Sequence, residues 1–386
     1  MTHQSEEAHQ KPFTSRVKVV VVCMLDSVHS ARWLAQFVDD DIDFQLFAST
    51  PHRKVHDQIA TLLRNDSQAR YSISLRSKYL WIGLWLVDRI LDDAVRAFLL
   101  RKLVNRSNPH YVHAMEFQNA GYICLKAFEK HELRGAHLIS SNWGSDIYWF
   151  SRFPRHRRKI ERLLSITDFY SAECIRDVGL ARDLGYNGKV KKITPNSGVF
   201  TKRDLSVQLT PFNERKTIAV KGYQSWAGRA KLAMRAIEEL KDELHGCEII
   251  VFSCNRSIVR LSKKISIRTG LSIKTHKKGS LPREDVLKIL AKSKIYLGVS
   301  KTDGISTSML EAMAMGAIPV QTNTSCCDEW FTNSGVAIDS ISVESIKSSI
   351  LKGLEISGQT KNQVLNRNEI VSRVSSTSFA EDFYSK

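Results

Sequence analysis

The chain has 386 residues, of which 42% are hydrophobic and 25% are charged. This balance is typical of a soluble globular protein and argues against a disordered chain, and the length is sufficient for two domains with separate cores. The formal net charge of +17 favours an anionic partner, namely a polyanion, a phosphorylated ligand or an anionic membrane surface, without choosing among them.

The cysteines and the first residues of the chain bear on its location. The seven cysteines include no CxxC pair and no Cys/His spacing of the zinc type, so we expect buried thiols in a reducing compartment. Residues 1–13 are polar, and no apolar run approaches membrane-spanning length. The sequence therefore predicts a cytoplasmic protein, with peripheral attachment to the inner face of the membrane as an alternative.

The N-terminal half alternates between short apolar runs and helical segments. Val17–Cys23 is a β-branched run typical of a parallel strand that is covered on both faces. One long helix is predicted from Tyr79 to Val104, and its aromatic and basic residues also fit shallow membrane contact. The basic segment Arg152–Arg162 predicts a solvated helix face or, alternatively, a site for a lipid phosphate. The remaining predictions are strands at Phe44–Ala48, Pro109–His113, His137–Ser141, Asp168–Ala172 and Lys192–Val199, and a helix at Tyr122–Phe128.

A second series of strands follows the segment Thr201–Lys216, which mixes charges with Pro211 and has no periodicity. We place the domain junction in this segment. Alternation of strands and helices in both halves predicts an α/β protein with two doubly wound parallel sheets. The tail has helical patterns at Val343–Leu354 and at Glu369–Tyr384. The strands of the second series are predicted at Thr217–Val220, Glu248–Phe252, Ile273–Lys274, Ile295–Val299 and Ala317–Val320.

Residues 294–321 have the pattern strand, Ser/Thr-rich loop, helix and strand, with the helix at Thr307–Met315 and Gly316 as its C-cap. A helix that starts behind such a loop offers free backbone N–H groups and the positive end of its dipole, which suits a phosphate. Asp303 lies before this helix and Glu311 lies inside it. On spacing alone, an ordinary βαβ unit with two solvated acids fits equally well.

A glycine-containing loop, KGYQSWAGRA at 221–230, opens the second half between a strand and the helix predicted at Leu232–Leu240. Its glycines allow a close backbone approach, and Lys221 and Arg229 can both reach an anion. The spacing is not that of a Walker A loop, and a helix cap with solvated basic side chains is the alternative interpretation.

Together the two segments predict a nucleotide-sugar site. In a doubly wound sheet, the loops after the strands at 217–220 and 295–299 emerge on the same side. Lys221 and Arg229 would neutralise a diphosphate that the helix start near Ser306 also binds, while Asp303 and Glu311 would accept hydrogen bonds from sugar and ribose hydroxyls.

The segment DGISTSMLEAMAMGAIPV, from Asp303 onwards, resembles the acidic motif of the retaining glycosyltransferases of family 4. The first acid of that motif is usually Glu, and this chain has Asp303 instead. The resemblance implies that Lys221 and Arg229 contact the donor diphosphate, with Lys231 as the competitor for the role of Lys221. It also implies that the residues around the helix start contact the donor, namely Gly304, Ile305, Ser306, Thr307 and Ser308.

The same resemblance implies the GT-B fold, in which two Rossmann-like domains face each other across a cleft and C-terminal helices cross back. We expect an acceptor-side domain at 14–200, a linker at 201–216, a nucleotide-sugar domain at 217–360, and a C-terminal helix at 361–386 that packs towards the first domain.

Three N-terminal motifs, HSARW at 29–33, PHYVHAMEFQNAGY at 109–122 and NWGSD at 142–146, are similar to acceptor-side loops of bacterial members that build surface polysaccharides. Where many relatives have His, this chain has Trp143. His29 and Arg32 follow the first strand, where α/β sheets place ligands, although each alone also fits a surface side chain. The implied acceptor side consists of His29, Arg32, His113, Glu116, Gly144 and Asp146.

The resulting prediction is a metal-independent, retaining transfer from a UDP or GDP sugar to a hydroxyl of a glycan or lipid-linked acceptor, with no cofactor and no nucleic acid partner. Two alternatives remain open at this point. One is a nucleotide-sugar epimerase on the same fold, and the other is a non-catalytic protein that binds anions or a membrane surface.

Overall fold

The computed structural model describes residues 16–37, 42–50, 54–65, 70–71, 78–133, 135–196, 200–331, 333–374 and 383–384. Within these ranges the strands form two sheets, and every neighbouring pair of strands is parallel. Two doubly wound sheets are thereby confirmed. No helix in the described ranges is long and apolar enough to cross a membrane.

The first sheet has the strand order β3-β2-β1-β4-β5-β6-β7, so the order reverses between β1 and β4. Alternate residues of β1 enter two cores, because Val20 and Val22 pack with the helices on one face and Val19 and Val21 with those on the other. These strands are β1 (Val17–Cys23), β2 (Ile42–Ala48), β3 (Arg70–Tyr71), β4 (Tyr111–Met115), β5 (His137–Ser141), β6 (Phe169–Ser171) and β7 (Lys189–Val190).

The helices of this N-terminal domain cover both faces of its sheet. A single π-helical turn, Phe117–Gly121, leads from β4 into the helix that follows it. The helices are α1 (Val28–Ala35), α2 (Asp57–Asn65), α3 (Lys78–Ile90), α4 (Ala94–Ser107), α5 (Tyr122–Phe128), α6 (Pro154–Ser165) and α7 (Ile175–Asp183).

The second sheet has the order β10-β9-β8-β11-β12-β13, and its reversal lies between β8 and β11. Ile218 and Val220 of β8 pack into one core and Ala219 into the other, as expected for a strand covered on both faces. The strands are β8 (Thr217–Lys221), β9 (Glu248–Cys254), β10 (Ser272–Lys277), β11 (Ser293–Gly298), β12 (Ile318–Thr322) and β13 (Val336–Ile338). The helices are α8 (Lys202–Leu205), α9 (Ala230–Glu239), α10 (Arg256–Thr269), α11 (Arg283–Ala291), α12 (Thr307–Ala314), α13 (Val343–Ser357) and α14 (Thr360–Arg373).

The single long helix predicted from Tyr79 to Val104 is wrong, because the segment folds as α3 and α4. Asp92 and Asp93 lie between them with φ angles of 49° and 65°, in the left-handed region that ends a helix. The buried Asp88 carboxylate then accepts hydrogen bonds from the backbone N–H groups of Val95 and Arg96 in the first turn of α4.

The strand predicted at Lys192–Val199 is also wrong in position. The edge strand is β7, at Lys189–Val190, while residues 191–196 have no regular structure and 197–199 lie outside the described residues. The segment predicted to be an irregular linker contains the short α8 and a 3-10 turn at Phe212–Glu214.

The end of the chain returns to the N-terminal domain. Helix α14 packs on the C-terminal domain, where Ile370 and Val374 join the core beside α12. Phe383 and Tyr384 then enter the core around Trp33 in the first domain. Of the helix predicted at Glu369–Tyr384, the first residues belong to α14, which starts earlier, at Thr360, and residues 375–382 lie outside the described residues.

Candidate functional site

The loops at the carboxyl ends of the two sheets meet. A Cβ atom built on Gly144, after β5, would lie 3.1 Å from Asp303 Oδ1, and one built on Gly304 would lie 3.0 Å from the Cα of Gly144. Arg32, in α1 after β1, binds Glu311 in α12 across the same gap. Both strand-order reversals therefore open onto one cleft, where α/β sheets bind their ligands.

Lys221 ends the central strand β8 and points its charge into this cleft. Burial lowers the pKa of Lys221, but Tyr296, Asp303 and Glu311 raise it, and the net pKa lies above the usual value. The ammonium group is therefore charged at neutral pH. Within the described residues its Nζ has no hydrogen-bond acceptor or ion-pair partner, so the charge remains available to an anionic ligand.

The start of α12 offers backbone donors beside Lys221. Ser306 is the N-cap residue, and its side chain caps no N–H group. The backbone N–H groups of residues 305–308 have no acceptor among the described residues, whereas those of Met309 and Leu310 bond to the Ser306 carbonyl. Such a helix start, with the positive end of its dipole, is suited to an anion.

Asp303 and Glu173 form a pair of acids across the cleft. Glu173, after β6, accepts hydrogen bonds from the N–H groups of Gly144 at 3.2 Å and Asn196 at 3.0 Å. Burial, with the negative charge of Asp303, raises the pKa of Glu173 to about 8. Burial also raises the pKa of Asp303, although Lys221 and the Gly304 N–H oppose the shift.

Glu311 is 4% exposed and is held by two arginines from different domains. Its Oε1 accepts from Arg32 Nη1 at 3.2 Å and from Arg283 Nε at 3.0 Å. Arg283 also binds Asp204. Within the described residues, Oε2 of Glu311 has no hydrogen-bond partner, which leaves it available to a hydroxyl donor.

Arg229 lies in the predicted glycine-containing loop, and its guanidinium group donates hydrogen bonds to the backbone of that same loop. Its Nη1 donates to the carbonyl oxygens of Ser225, Trp226 and Gly228, each at 3.0 Å. The loop is also tied to the strand end after β11, since Gly228 forms an isolated bridge with Ser300. The observed contacts of Arg229 therefore stabilise the glycine-containing loop. Lys231 is exposed, in the first turn of α9.

His29 lies at the start of α1 beside Trp143, with their ring centroids 5.7 Å apart. Its side chain keeps contact with solvent in the cleft, although protein surrounds it on most sides. Burial, together with the charges of Arg32, Lys221 and Lys278, lowers the pKa of His29 to about 4. At neutral pH this imidazole is neutral and adds no charge to the cleft.

Three other residues predicted on the acceptor side lie behind the cleft surface. His113 is fully buried in β4, and its ring nitrogens bond to the hydroxyls of Tyr384 and Ser141, each at 2.7 Å. Glu116 has a φ of 96° and accepts from the N–H groups of Asn119 and Ala120.

Asp146 holds two loops together, because its Oδ2 accepts from the N–H groups of Phe117 and Trp143, each at 2.9 Å. Burial raises the pKa of Asp146 well above its usual value, and Glu116 adds to the shift. His113, Glu116 and Asp146 are thus positioned to shape the loops that carry His29 and Gly144 rather than to contact a ligand in this arrangement.

Sequence reasoning missed Glu173, Arg283 and Arg176. Arg176, in α7, donates to the carbonyl oxygens of Asp303 at 2.8 Å and Thr324 at 2.9 Å, and so fixes the loop that carries Asp303. Glu173 follows a predicted strand directly, which is the one signal that could have marked it. The two arginines lie in ordinary helix-start patterns and carry no such signal.

Half of the Lys and Arg residues in the basic segment Arg152–Arg162 form ion pairs. Lys159 binds Asp92 at 2.8 Å, Arg157 binds Glu161 at 2.8 Å, and Arg162 binds Glu129. Three of the six Lys and Arg residues in the segment 152–162 are thus paired within the domain, which favours the predicted solvated helix face over a phosphate site.

One group in the described part of the chain has side chains that could ligate a metal ion, namely Cys174, Cys326 and Glu329. It lies at the contact between the two domains. Six of the seven cysteines, all but Cys247, are buried.

Comparison with known proteins agrees with this architecture. Residues 202–369 match the family model described as Glycosyl transferases group 1. No curated protein matches the sequence. The structure is similar to HepE from Anabaena in complex with UDP and glucose, with a TM-score of 0.63 and 13% identity over 95% of this chain and 98% of that one.

Two further structures are similar over nearly the whole chain. TarM from S. aureus, in complex with fondaparinux, α-GlcNAc-glycerol and UDP, has a TM-score of 0.69 and 11% identity over 96% of this chain and 100% of that one. A glycosyltransferase from Rickettsia africae has a TM-score of 0.68 and 14% identity over 94% of this chain and 95% of that one.

Two Rossmann-like domains that face each other across a cleft make up the GT-B fold, and the expectation of that fold is confirmed. The family-model match lies in the C-terminal domain, at residues 202–369, whereas the similarity to HepE and TarM extends over both domains.

Proposed function

We propose that the protein is a retaining glycosyltransferase of the family 4 type, which moves a sugar from a nucleoside diphosphate sugar to a hydroxyl group of a glycan or lipid-linked acceptor in cell-surface polysaccharide synthesis. The observation that carries this proposal is the convergence of the Lys221 ammonium group with the unpaired N–H groups at the start of α12, on adjacent strands and facing the N-terminal domain. Complexes of HepE with UDP-glucose and of TarM with UDP support a UDP sugar as the donor.

The diphosphate is placed between Lys221 and residues 305–308. Both groups stabilise the negative charge that develops on the leaving diphosphate when the glycosidic bond breaks. Arg229 contributes through the loop that it holds, and its Nε and Nη2 have no acceptor among the described residues, so they remain free for a phosphate oxygen. These cationic and N–H groups take the place of a divalent ion in the proposed reaction.

The two acids of the motif bind hydroxyl groups. Asp303 accepts from the transferred sugar, near the contact between Gly144 and Gly304. Glu311 accepts from the ribose through Oε2, while Arg32 and Arg283 hold Oε1 and so fix the orientation of the carboxylate. Replacing the usual Glu by Asp303 shortens the reach to the sugar, and the close approach of the Gly144 loop compensates by narrowing the cleft.

We propose that the anomeric configuration is retained because the acceptor hydroxyl attacks the face of the sugar from which the phosphate departs. A double displacement would need an ionised carboxylate beneath the sugar. Glu173 lies beside Asp303, but its raised pKa of about 8 keeps it neutral at pH 7. It is therefore unsuited as a nucleophile, and the departing phosphate oxygen is left to take the proton of the acceptor hydroxyl.

The acceptor is placed against His29, Arg32 and Gly144. TarM is described with fondaparinux and with α-GlcNAc-glycerol, which supports a glycan or a glycosylated alcohol as the acceptor class. We further propose a cytoplasmic enzyme that works at the inner face of the membrane, on the basis of its many thiols and its net charge of +17.

A donor and acceptor screen tests the proposal. The purified protein is incubated with UDP and GDP sugars, with and without lipid-linked sugar acceptors, and the products are identified by mass spectrometry. We expect a glycosylated product that depends on the acceptor, with its anomeric configuration retained by NMR and its formation unaffected by EDTA. A new sugar nucleotide formed from the donor alone would instead identify an epimerase.

The non-catalytic alternative has its own outcome. If calorimetry shows no binding of any UDP or GDP sugar, while anionic vesicles bind tightly, the protein is a surface-binding protein and the enzyme proposal fails.

A further inference from the structure

Two cysteine thiols from different domains meet at the domain contact. Cys174 is the N-cap residue of α7, and Cys326 follows β12. They are 152 positions apart in the chain, yet their Sγ atoms are 3.1 Å apart. A disulfide has a sulfur–sulfur distance of about 2.05 Å, so the two atoms need to approach by about 1 Å to bond. Both residues are buried.

Hydrogen bonds between the two domains stabilise the contact around these thiols. The Glu329 carboxylate accepts from the backbone N–H groups of Ile175 at 2.8 Å and Arg176 at 3.2 Å. Arg176 in turn donates to the carbonyl oxygens of Thr324 and Asp303. The start of α7 is therefore fixed against residues 303–329, and the thiols lie inside a region with little room to move apart while the domains are in contact.

A metal ion fits this group less well than a sulfur–sulfur bond. Tetrahedral zinc, with Zn–S bonds of about 2.3 Å, separates its two sulfur ligands by about 3.8 Å, which exceeds the observed 3.1 Å. The Glu329 carboxylate already accepts two N–H groups. The positive end of α7 and the Arg176 guanidinium group also disfavour a cation at this place.

We propose that Cys174 and Cys326 form an interdomain disulfide by exchange with a small-molecule disulfide such as oxidised glutathione. In the first step, one protein thiolate attacks the small disulfide, forms a mixed disulfide and releases one glutathione. In the second step, the other protein thiolate attacks the protein sulfur of that mixed disulfide and releases the second glutathione. The two protein thiols lose two electrons and two protons, which the two glutathione thiols gain.

The exchange requires the domains to separate first. The neighbouring Cys326 thiol and burial raise the pKa of Cys174, so in the contact arrangement the Cys174 thiol is protonated, and both sulfurs are buried away from an oxidant. Separation exposes them to the small disulfide, and renewed contact brings the second thiol to the mixed disulfide. The bond then holds the domains together and fixes the loop that carries Asp303. We expect the bond to lower turnover because the cleft can no longer open. This expectation rests on the proposed function, whereas the bond itself does not.

Mass spectrometry of the full-length protein tests the bond directly. The reduced protein is treated with oxidised glutathione and digested with trypsin without reductant. We expect the peptide 163–176 to be joined to the peptide 302–347, and the link to disappear with dithiothreitol. Because the second peptide also contains Cys327, Cys327→Ser is the matched control and should keep the link.

The link should be absent in Cys174→Ser and Cys326→Ser. Serine is a preferred N-cap residue, so Cys174→Ser should preserve α7. Glutathionylation of the half-buried Cys247 shows that the oxidant has acted. If Cys247 is modified and no link forms in the native protein, or if the link persists in Cys326→Ser, the proposal is overturned. Stoichiometric zinc that is lost in Cys174→Ser would overturn it as well.

Hydrogen exchange gives a second readout that is independent of sugar transfer. The N–H groups of Ile175 and Arg176 are protected by Glu329 across the contact. In the oxidised protein we expect their exchange to slow on the order of tenfold or more, because the covalent link disfavours separation. Equal exchange in linked and reduced protein would show that the bond does not restrain the domains.

Discussion

Glu173 and Lys221 both interact with the charge of Asp303, and both side chains are protonated at neutral pH. The raised pKa of Glu173 makes its carboxyl group neutral, whereas the raised pKa of Lys221 keeps its ammonium group charged. The cleft therefore combines a positive charge for the diphosphate with an acid that cannot compete for the anomeric carbon.

The role of Lys221 is tested by Lys221→Met, which preserves much of the side-chain length and removes the charge. If the ammonium group stabilises the leaving diphosphate, turnover falls on the order of 10²-fold or more, as measured by release of the nucleoside diphosphate. Lys241→Met, in an exposed residue after the end of α9, is the control and should retain activity. Unchanged turnover in a folded Lys221→Met protein would remove Lys221 from the site.

The raised pKa of Glu173 predicts that the stability of the protein depends on pH. Its pKa is about 8 in the folded protein and 4.5 for an unperturbed glutamate, so the folded state binds one more proton than the unfolded state between these pH values. The contribution to the free energy of unfolding is complete below about pH 4.5 and falls, by at most roughly 1.4 kcal/mol per pH unit, as the pH rises to about 8.

Glu173→Gln should remove this dependence, because the amide cannot ionise. Urea denaturation at several pH values measures the free energy of unfolding of both proteins. Relative to the variant, the native protein should become steadily more stable as the pH is lowered. Glu355→Gln, at an exposed position in α13, should leave the profile unchanged. A native protein whose profile matches that of Glu173→Gln would contradict the raised pKa.

At the scale of elements, the break between α3 and α4 depends on one buried acid. Asp88 is fully buried, and its carboxylate binds both the N–H groups that start α4 and the guanidinium group of Arg96. Arg96 is 3% exposed and also donates to the Ser49 carbonyl oxygen. The turn between the helices is thus fixed by an ion pair in the interior.

Asp88→Ala should destabilise the protein by about 3–5 kcal/mol, because it leaves a buried arginine without its main partner. The loss is measured as a lower midpoint of urea denaturation. The exposed Asp339→Ala is the control and should change the free energy of unfolding by less than about 0.5 kcal/mol. A loss of that small size in Asp88→Ala would show that the ion pair does not determine the break.

At the scale of the whole molecule, the contact between the domains depends on two glycines. A Cβ atom on Gly304 would lie 2.7 Å from Glu173 Oε2 and 3.0 Å from the Gly144 Cα atom, and Gly144 itself has a φ of 41°. Neither position has room for a larger residue unless the loops move apart.

Gly304→Ala should therefore hold the domains further apart and lower turnover on the order of 10²-fold, since displacement of about 1 Å at a reacting centre has that effect. Small-angle X-ray scattering with donor present should show a larger radius of gyration than for the native protein. Gly179→Ala is the matched control, because its Cβ would meet nothing within 4 Å. Native turnover in Gly304→Ala would mean that the close contact is not part of the working state.

The sequence by itself determined the two parallel sheets and most of their strands, because β-branched runs such as Val17–Cys23 report burial on both faces through local composition. It also predicted Lys221 and Asp303 as site residues, because they lie at a strand end and just before a helix, where a doubly wound sheet gathers its ligand contacts, and it predicted Glu311 inside that helix. Its prediction of one helix across 79–104 failed because the left-handed turn at Asp92 and Asp93 depends on the buried pairing of Asp88 with Arg96, which helical periodicity does not report.

Tertiary structure alone decided which residues meet across the cleft. Arg283 on Glu311, Glu173 beside Asp303, and Cys174 against Cys326 are pairs separated by 28 to 152 positions in the chain, and no local periodicity encodes such distances. The tertiary structure also decided that Arg229 donates to its own loop and that His113 forms a hydrogen bond with the Tyr384 hydroxyl. The physical reason is that a side chain's partners are set by the packing of whole elements, whereas the pattern of a sequence reports only the element to which the side chain belongs.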